Sequence, residues 1–123
     1  MEGLRPLFYM AKTKAELRNR ALQMLGKLAV GQTPAAAISN DMEDVYDQVY
    51  AKLEKRGLVS WGPSDSVPDE FVEDISALMA YERSEGIPND RYIRIRDAAG
   101  SATSTISAMI AGKYINPREY TDY

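Results

Sequence analysis

The chain has 123 residues, 45% of them hydrophobic and 27% charged, with no cysteine and no histidine. That length fits one domain with a single sizeable core. The missing residue types exclude disulfides, thiolate nucleophiles, cysteine- or histidine-ligated metal and the commonest general base, so neither an enzyme nor a cofactor is expected.

The net charge of −3 is unevenly spread. Residues 1–30 carry six basic and two acidic groups, residues 31–90 four basic and thirteen acidic, and residues 91–123 five basic and three acidic. The acidic middle repels nucleic acid rather than binding it. No apolar run is long enough to span a bilayer, so no membrane partner is expected. The opening MEGLRPLFYMAKTK is interrupted by Glu2 and Pro6 and has no small-residue cleavage signal, so no signal peptide is expected.

Residues 1–12 read as an N-terminal arm carrying the apolar patch Leu7, Phe8, Tyr9 and Met10. Thr13 to Glu16 is a capping box, in which the threonine oxygen takes an orphan amide and the glutamate reaches back. Leu17, Ala21, Leu22, Met24, Leu25 and Leu28 follow at helical spacing and predict a first helix over about 14–28, with Gly31 beyond it. Thr33-Pro34 suits the start of a short turn through the alanines.

Ser39 or Asn40 is the expected cap of a second helix, whose stripe is Met42, Val45, Tyr46, Val49, Tyr50 and Leu53. Acids near its start and Lys52, Lys55 and Arg56 near its end complement the helix dipole. Gly57 is its left-handed stop. Trp61, after Leu58-Val59-Ser60 and before a Gly-Pro turn, is expected to cap the bundle as a satellite core residue.

The third helix is fenced by Pro68 at its start and by Gly86 and Pro88 at its end. Phe71, Val72, Ile75, Leu78 and Met79 form its apolar stripe. Asp69, Glu70, Glu73 and Asp74 lie at its positive end, where they read as dipole partners rather than a cation site. With no chemistry on it, this helix reads as scaffold and surface.

Asn89 or Asp90 is the expected cap of a fourth helix, with Tyr92, Ile95, Ala99, Ala102, Ile106, Met109 and Ile110 on one side and Gly112 as its end. Weak helix formers around Gly100 suggest a bend there. Ala111-Gly112-Lys113 lacks the upstream glycine and following Ser/Thr of a phosphate loop. Arg91, Arg94 and Arg96 form a basic cluster that reads as a solvated face or an ion-pair set, or as a phosphate contact. The tail 113–123, KYINPREYTDY, has no helical period and is expected to be extended. The fold expected is all-α, a four-helix bundle over 13–112 with an arm at each end. Tyr114, Ile115, Pro117, Tyr120 and Tyr123 are the expected contacts to a partner or a neighbouring subunit, and Leu7, Phe8, Tyr9 and Met10 are secondary ones.

The order of parts resembles a known family. The capped "TKAELRNRALQMLGKL" precedes a proline-alanine loop. "DMEDVYDQVYAKLEKRGLVSW" is a helix ending in glycine, an apolar pair and an aromatic. "VPDEFVEDISALMAYERSEGIP" has a proline-acidic opening and Ala-Tyr-Glu before a glycine. Over about 13–88 this is similar to the head-tail connector (adaptor) proteins of tailed bacteriophages, nearest to the tail accessory factors of short-tailed phages. The resemblance implies a structural virion protein of the neck, made in the host cytoplasm. It would form a homo-oligomeric ring, typically twelve copies, beneath the portal protein. The ring would extend the DNA channel, let DNA pass without specific binding, and give a platform to a nozzle or tail-tube protein. The alternative is a small helical nucleic-acid-binding regulator using Arg91, Arg94 and Arg96.

Overall fold

The computed structural model describes residues 11–59, 61–63 and 66–114. Among the described residues the elements are a short strand β1 (Ala11–Lys12), helices α1 (Lys14–Met24) and α2 (Ala36–Lys55), a second short strand β2 (Val67–Pro68), a 3-10 turn (Asp69–Phe71), α3 (Val72–Glu82) and α4 (Asn89–Tyr114). The four helices make an all-α bundle. β1 and β2 pair antiparallel, Ala11 opposite Pro68 and Lys12 opposite Val67. This pairing puts the last two residues of the expected N-terminal arm inside the fold.

The capping box forms as expected, with the Thr13 Oγ1 accepting from the Glu16 amide and Glu16 Oε1 accepting from the Thr13 amide. The first helix ends earlier than 28. Its stop is Gly26, at φ 76°, where the Gly26 amide bonds the Gln23 carbonyl and the Lys27 amide bonds the Leu22 carbonyl. Those two bonds close a Schellman motif, which Gly31 lies too far on to make. The second helix starts earlier than Ser39. Three alanines after Pro34 are strong helix formers, and the expected turn merges into α2 without a side-chain cap. Gly57 stops α2 as expected. α3 ends at Glu82, four residues short of Gly86, where Ser84 takes the Tyr81 carbonyl with both its amide and its hydroxyl. α4 starts on a bond from the Tyr92 amide to the Pro88 carbonyl, so the expected caps lie within its first turn. It runs through Gly100 and Gly112 to Tyr114, so Gly112 does not end it and Lys113 and Tyr114 are not part of an extended tail.

α3 is the hub, packed against α1, α2 and α4. Phe71, Ile75 and Met79 are buried as expected, but Ser76, Ala77 and Ala80 are buried as well. The fenced helix therefore buries a broader face than its apolar stripe, while Glu73, Tyr81 and Glu82 keep one side of it exposed. The α2 stripe is buried throughout, and Ile95, Ala99, Ala102, Ile106 and Ile110 bury the inner side of α4. Trp61 closes one end of the core. It stacks on Phe71 at 5.2 Å and donates its indole N–H to the Tyr46 hydroxyl at 3.1 Å. Tyr50 donates its hydroxyl to the Trp61 carbonyl at 2.6 Å. Every polar tip in this aromatic cap has a partner, as burial requires. Burial also pushes the Tyr46 phenol up, with the Trp61 bond pulling against it.

Candidate functional site

The expected arginine cluster is divided by the fold. Arg91 and Arg94 lie one turn apart near the start of α4 and line a 320 Å³ pocket with Arg20 and Gln23 of α1. Arg96 is not in that lining and instead pairs with Asp97 at 3.2 Å. Arg91 is positioned by the end of α1, where its Nη1 donates to the Met24 carbonyl at 3.0 Å. That carbonyl is one of the orphans a helix C-terminus leaves, and a cation suits it. Gly26 makes room for the arrangement, because a Cβ there would sit 3.0 Å from the guanidinium carbon of Arg91. The left-handed φ favours glycine at that position, and a side chain there would also press on the Arg91 guanidinium.

Arg20 is the member that sequence reading missed. It is bidentate to Glu73 of α3 at 2.7 and 3.0 Å, and this bond holds its guanidinium above its ordinary pKa. Arg20 and Gln23 also line a larger groove of about 550 Å³ with Lys12, Glu16, Asp69 and Glu73. Charges of both signs line that groove, with Lys12 paired to Glu16 and Arg20 to Glu73. The arrangement offers anion contact at the arginine pocket and no nucleophile with a base beside it.

The acidic residues at the start of α3 do not converge. Among the described residues no cluster of three or more metal-ligating side chains is present. Asp74 has its carboxyl pushed up by burial and then by the neighbouring Glu73 charge. Among the described residues no helix is long and apolar enough to cross a membrane. Tyr114 is the last residue of α4. Ile115, Pro117, Tyr120 and Tyr123, and Leu7, Phe8, Tyr9 and Met10, lie outside the described residues.

The other candidate surface is the outer side of α4. Between Asp97 and Lys113 the sequence has no charged residue. Ala98, Gly100, Ser101, Ser104, Thr105 and Ala108 are exposed along it. The side chains of Ser101 and Thr105 turn inward to helix carbonyls. A surface helix ordinarily carries charge on its solvent side. Elsewhere, Val30 in the α1–α2 loop is 87% exposed and Ile38 at the start of α2 is 45% exposed. No family model, curated protein or solved structure matches the chain.

Proposed function

We propose that the protein is a structural subunit of a tailed-bacteriophage neck, a head-tail connector or adaptor. Copies would form a ring beneath the portal protein, typically of twelve. The ring would extend the channel through which DNA passes without specific binding, and would present a platform to the nozzle or tail-tube protein. The free protein would be in the host cytoplasm and the assembled one in the virion neck. The family resemblance of the helix order supplies the identity of the assembly. The observation that carries the reading on this chain is the uncharged, small-residue outer face of α4. Small residues let another backbone approach closely, and a contact of this face with a different surface, such as the one at Val30 and Ile38, is heterologous, the kind of contact that makes a ring when its rotation closes. Tyr114, Ile115, Pro117, Tyr120 and Tyr123 are the proposed contacts to the portal or a neighbouring subunit, and Leu7, Phe8, Tyr9 and Met10 the proposed secondary partner contacts.

The test is assembly on the portal. Mixed with the portal protein of the same virus, the chain should form a ring visible by negative-stain microscopy. Ser104→Arg should abolish that ring while leaving the melting of the isolated subunit unchanged. A Ser104→Arg protein that assembles as well as the parent would remove α4 from the interface, and no ring from the parent would end the reading.

The arginine pocket favours a second reading, a helical nucleic-acid-binding regulator. It would contact phosphates through Arg91 and Arg94, joined by Arg20 in place of Arg96. A retarded DNA band at physiological salt, lost in Arg94→Glu, would support it against the first reading.

A further inference from the structure

α1 and α4 both pack on α3, and the arginine pocket of about 320 Å³ lies between them. Arg20 and Gln23 line it from α1, and Arg91 and Arg94 line it from α4, each pair one turn apart on its own helix. Among the described residues no acid lines it. A guanidinium has five N–H donors. Arg20 gives its Nε and Nη2 groups to Glu73 and keeps Nη1. Arg91 gives Nη1 to the Met24 carbonyl. Arg94 is exposed and has no hydrogen bond or ion pair among the described residues. Arg20 and Arg91 are therefore held in place, yet most of the donors of all three arginines remain open. Donors fixed in advance lower the entropy lost on binding.

Charge and size select among anions. Glu73 offsets Arg20, which leaves the pocket the charge of Arg91 and Arg94. A terminal phosphate carries about −1.5 to −2 at pH 7, whereas a diester phosphate carries a single charge. Arginine also grips phosphate through two parallel N–H bonds. At physiological salt a charge is felt over about 8 Å. A small anion in the pocket therefore meets chiefly the arginines. A duplex would lie along a surface whose 31–90 segment has thirteen acids against four bases. Met24, Ile95 and Ala98 add hydrocarbon beside the arginines. Ligand pockets run from about 300 to 1,000 Å³, so this one suits a small molecule. Cavities of about 150 Å³ admit a benzene ring, and the remaining volume leaves room for a phosphate.

We infer that this pocket binds a small phosphomonoester whose apolar body is about one aromatic ring in size. The phosphate oxygens accept from the open N–H groups of Arg94, Arg91 and Arg20, and the apolar body lies against Met24, Ile95 and Ala98. The site does not depend on the neck-assembly reading. It shares its arginines with the nucleic-acid reading but gives them a different occupant, so the two separate in one titration.

The experiment is methyl NMR on the full chain at physiological salt, titrated with phenyl phosphate, with inorganic phosphate, and with a short DNA duplex that has hydroxyl ends. The proteins are the parent, Arg94→Gln and Arg96→Gln. Both substitutions remove one exposed positive charge from α4, but only Arg94 lines the pocket. Arg94 has no partner to lose, so its replacement leaves the fold intact. Phenyl phosphate should shift the Met24 and Ile95 methyls of the parent and leave those of Leu53 in place. Inorganic phosphate should bind more weakly, and the duplex should not displace phenyl phosphate. Arg94→Gln should weaken phenyl phosphate binding about tenfold, the loss of one charge-assisted bond, and Arg96→Gln should leave it nearly unchanged. Met24 and Ile95 methyls that stay in place throughout would overturn the site. Equal weakening by the two substitutions would also overturn it, because the attraction would then be diffuse. Equal affinity for inorganic and phenyl phosphate would remove the apolar body from the proposal and overturn it as stated. Displacement of phenyl phosphate by the duplex would give the pocket to nucleic acid instead.

Discussion

α3 and α4 lie against each other and obey different rules. α3 is 11 residues long and buries a broad face that includes Ser76, Ala77 and Ala80, because three helices pack against it. α4 is 26 residues long and buries one stripe, leaving an uncharged face outside. In α3 the apolar and small residues are explained by the chain's own core. In α4 the outer small residues are not, since among the described residues they are exposed. The difference separates positions that hold the bundle together from exposed positions that its core does not explain.

The largest expected effect breaks the comparison directly. Ile75 is 1% exposed, so Ile75→Ala should cost roughly 2–5 kcal/mol in urea unfolding through lost transfer energy and a cavity. Ser104→Arg on the outer side of α4 should move stability by less than about 0.5 kcal/mol. Equal costs for the two would mean that α4 is packed on its outer side within the monomer, and that its uncharged face is core.

Ser76 sharpens the picture of α3. Its side chain is fully buried and its Oγ has no hydrogen-bond partner among the described residues. An unpaired buried hydroxyl costs about 1–3 kcal/mol relative to one that is paired, and Ser76→Ala removes the polar atom at nearly constant shape. The variant should therefore be as stable as the parent or more stable by about 1 kcal/mol. A loss of that size would show that the hydroxyl is satisfied, for example by a buried water.

How much of this was legible in the sequence follows from the range of each interaction. The Thr13 capping box, the α2 stripe and the Gly57 stop are set within one or two turns, and their residues announce them. The end of α1 was harder because Gly26 and Gly31 both adopt positive φ. Only the closing bonds from Gly26 and Lys27 decide between them. Burial of Ser76, Ala77 and Ala80 depends on α3 being surrounded, which periodicity within one helix does not reveal. The arginine pocket was half legible. Arg91 and Arg94 are neighbours in sequence, but Arg20 arrives from α1 and Arg96 turns away to Asp97. Arg20 and Glu73 are 53 residues apart, so their ion pair is set by the packing of α1 on α3 rather than by either helix alone.

The smallest expected effect concerns how α3 is tied to α2. Arg83, just past the end of α3, is bidentate to Asp41 in α2 at 3.0 Å on both bonds. That hydrogen bond is the main reason the Asp41 carboxyl is held below its ordinary value of 3.8. A depressed pKa means that the unfolded chain binds the proton more tightly, so this pair stabilises above pH 3.8 and its contribution is lost as pH falls through the folded-state value. Asp74 runs the other way. Its raised pKa means that ionisation costs the fold stability as pH rises from 3.8 to the raised value, and the cost is absent in stronger acid. The Asp41 pair is substantially exposed, with both side chains reaching solvent, so its value is at most about 1 kcal/mol. Asp41→Asn should therefore be slightly less stable than the parent at pH 7, with the gap closing toward zero in acid. Asp74→Asn should be equal or slightly more stable at pH 7, and should also converge on the parent in acid. Urea midpoints for the three proteins from pH 7 downward would read this. An Asp41→Asn gap that persists undiminished in acid would show that the carboxylate's charge is not what ties α2 to α3.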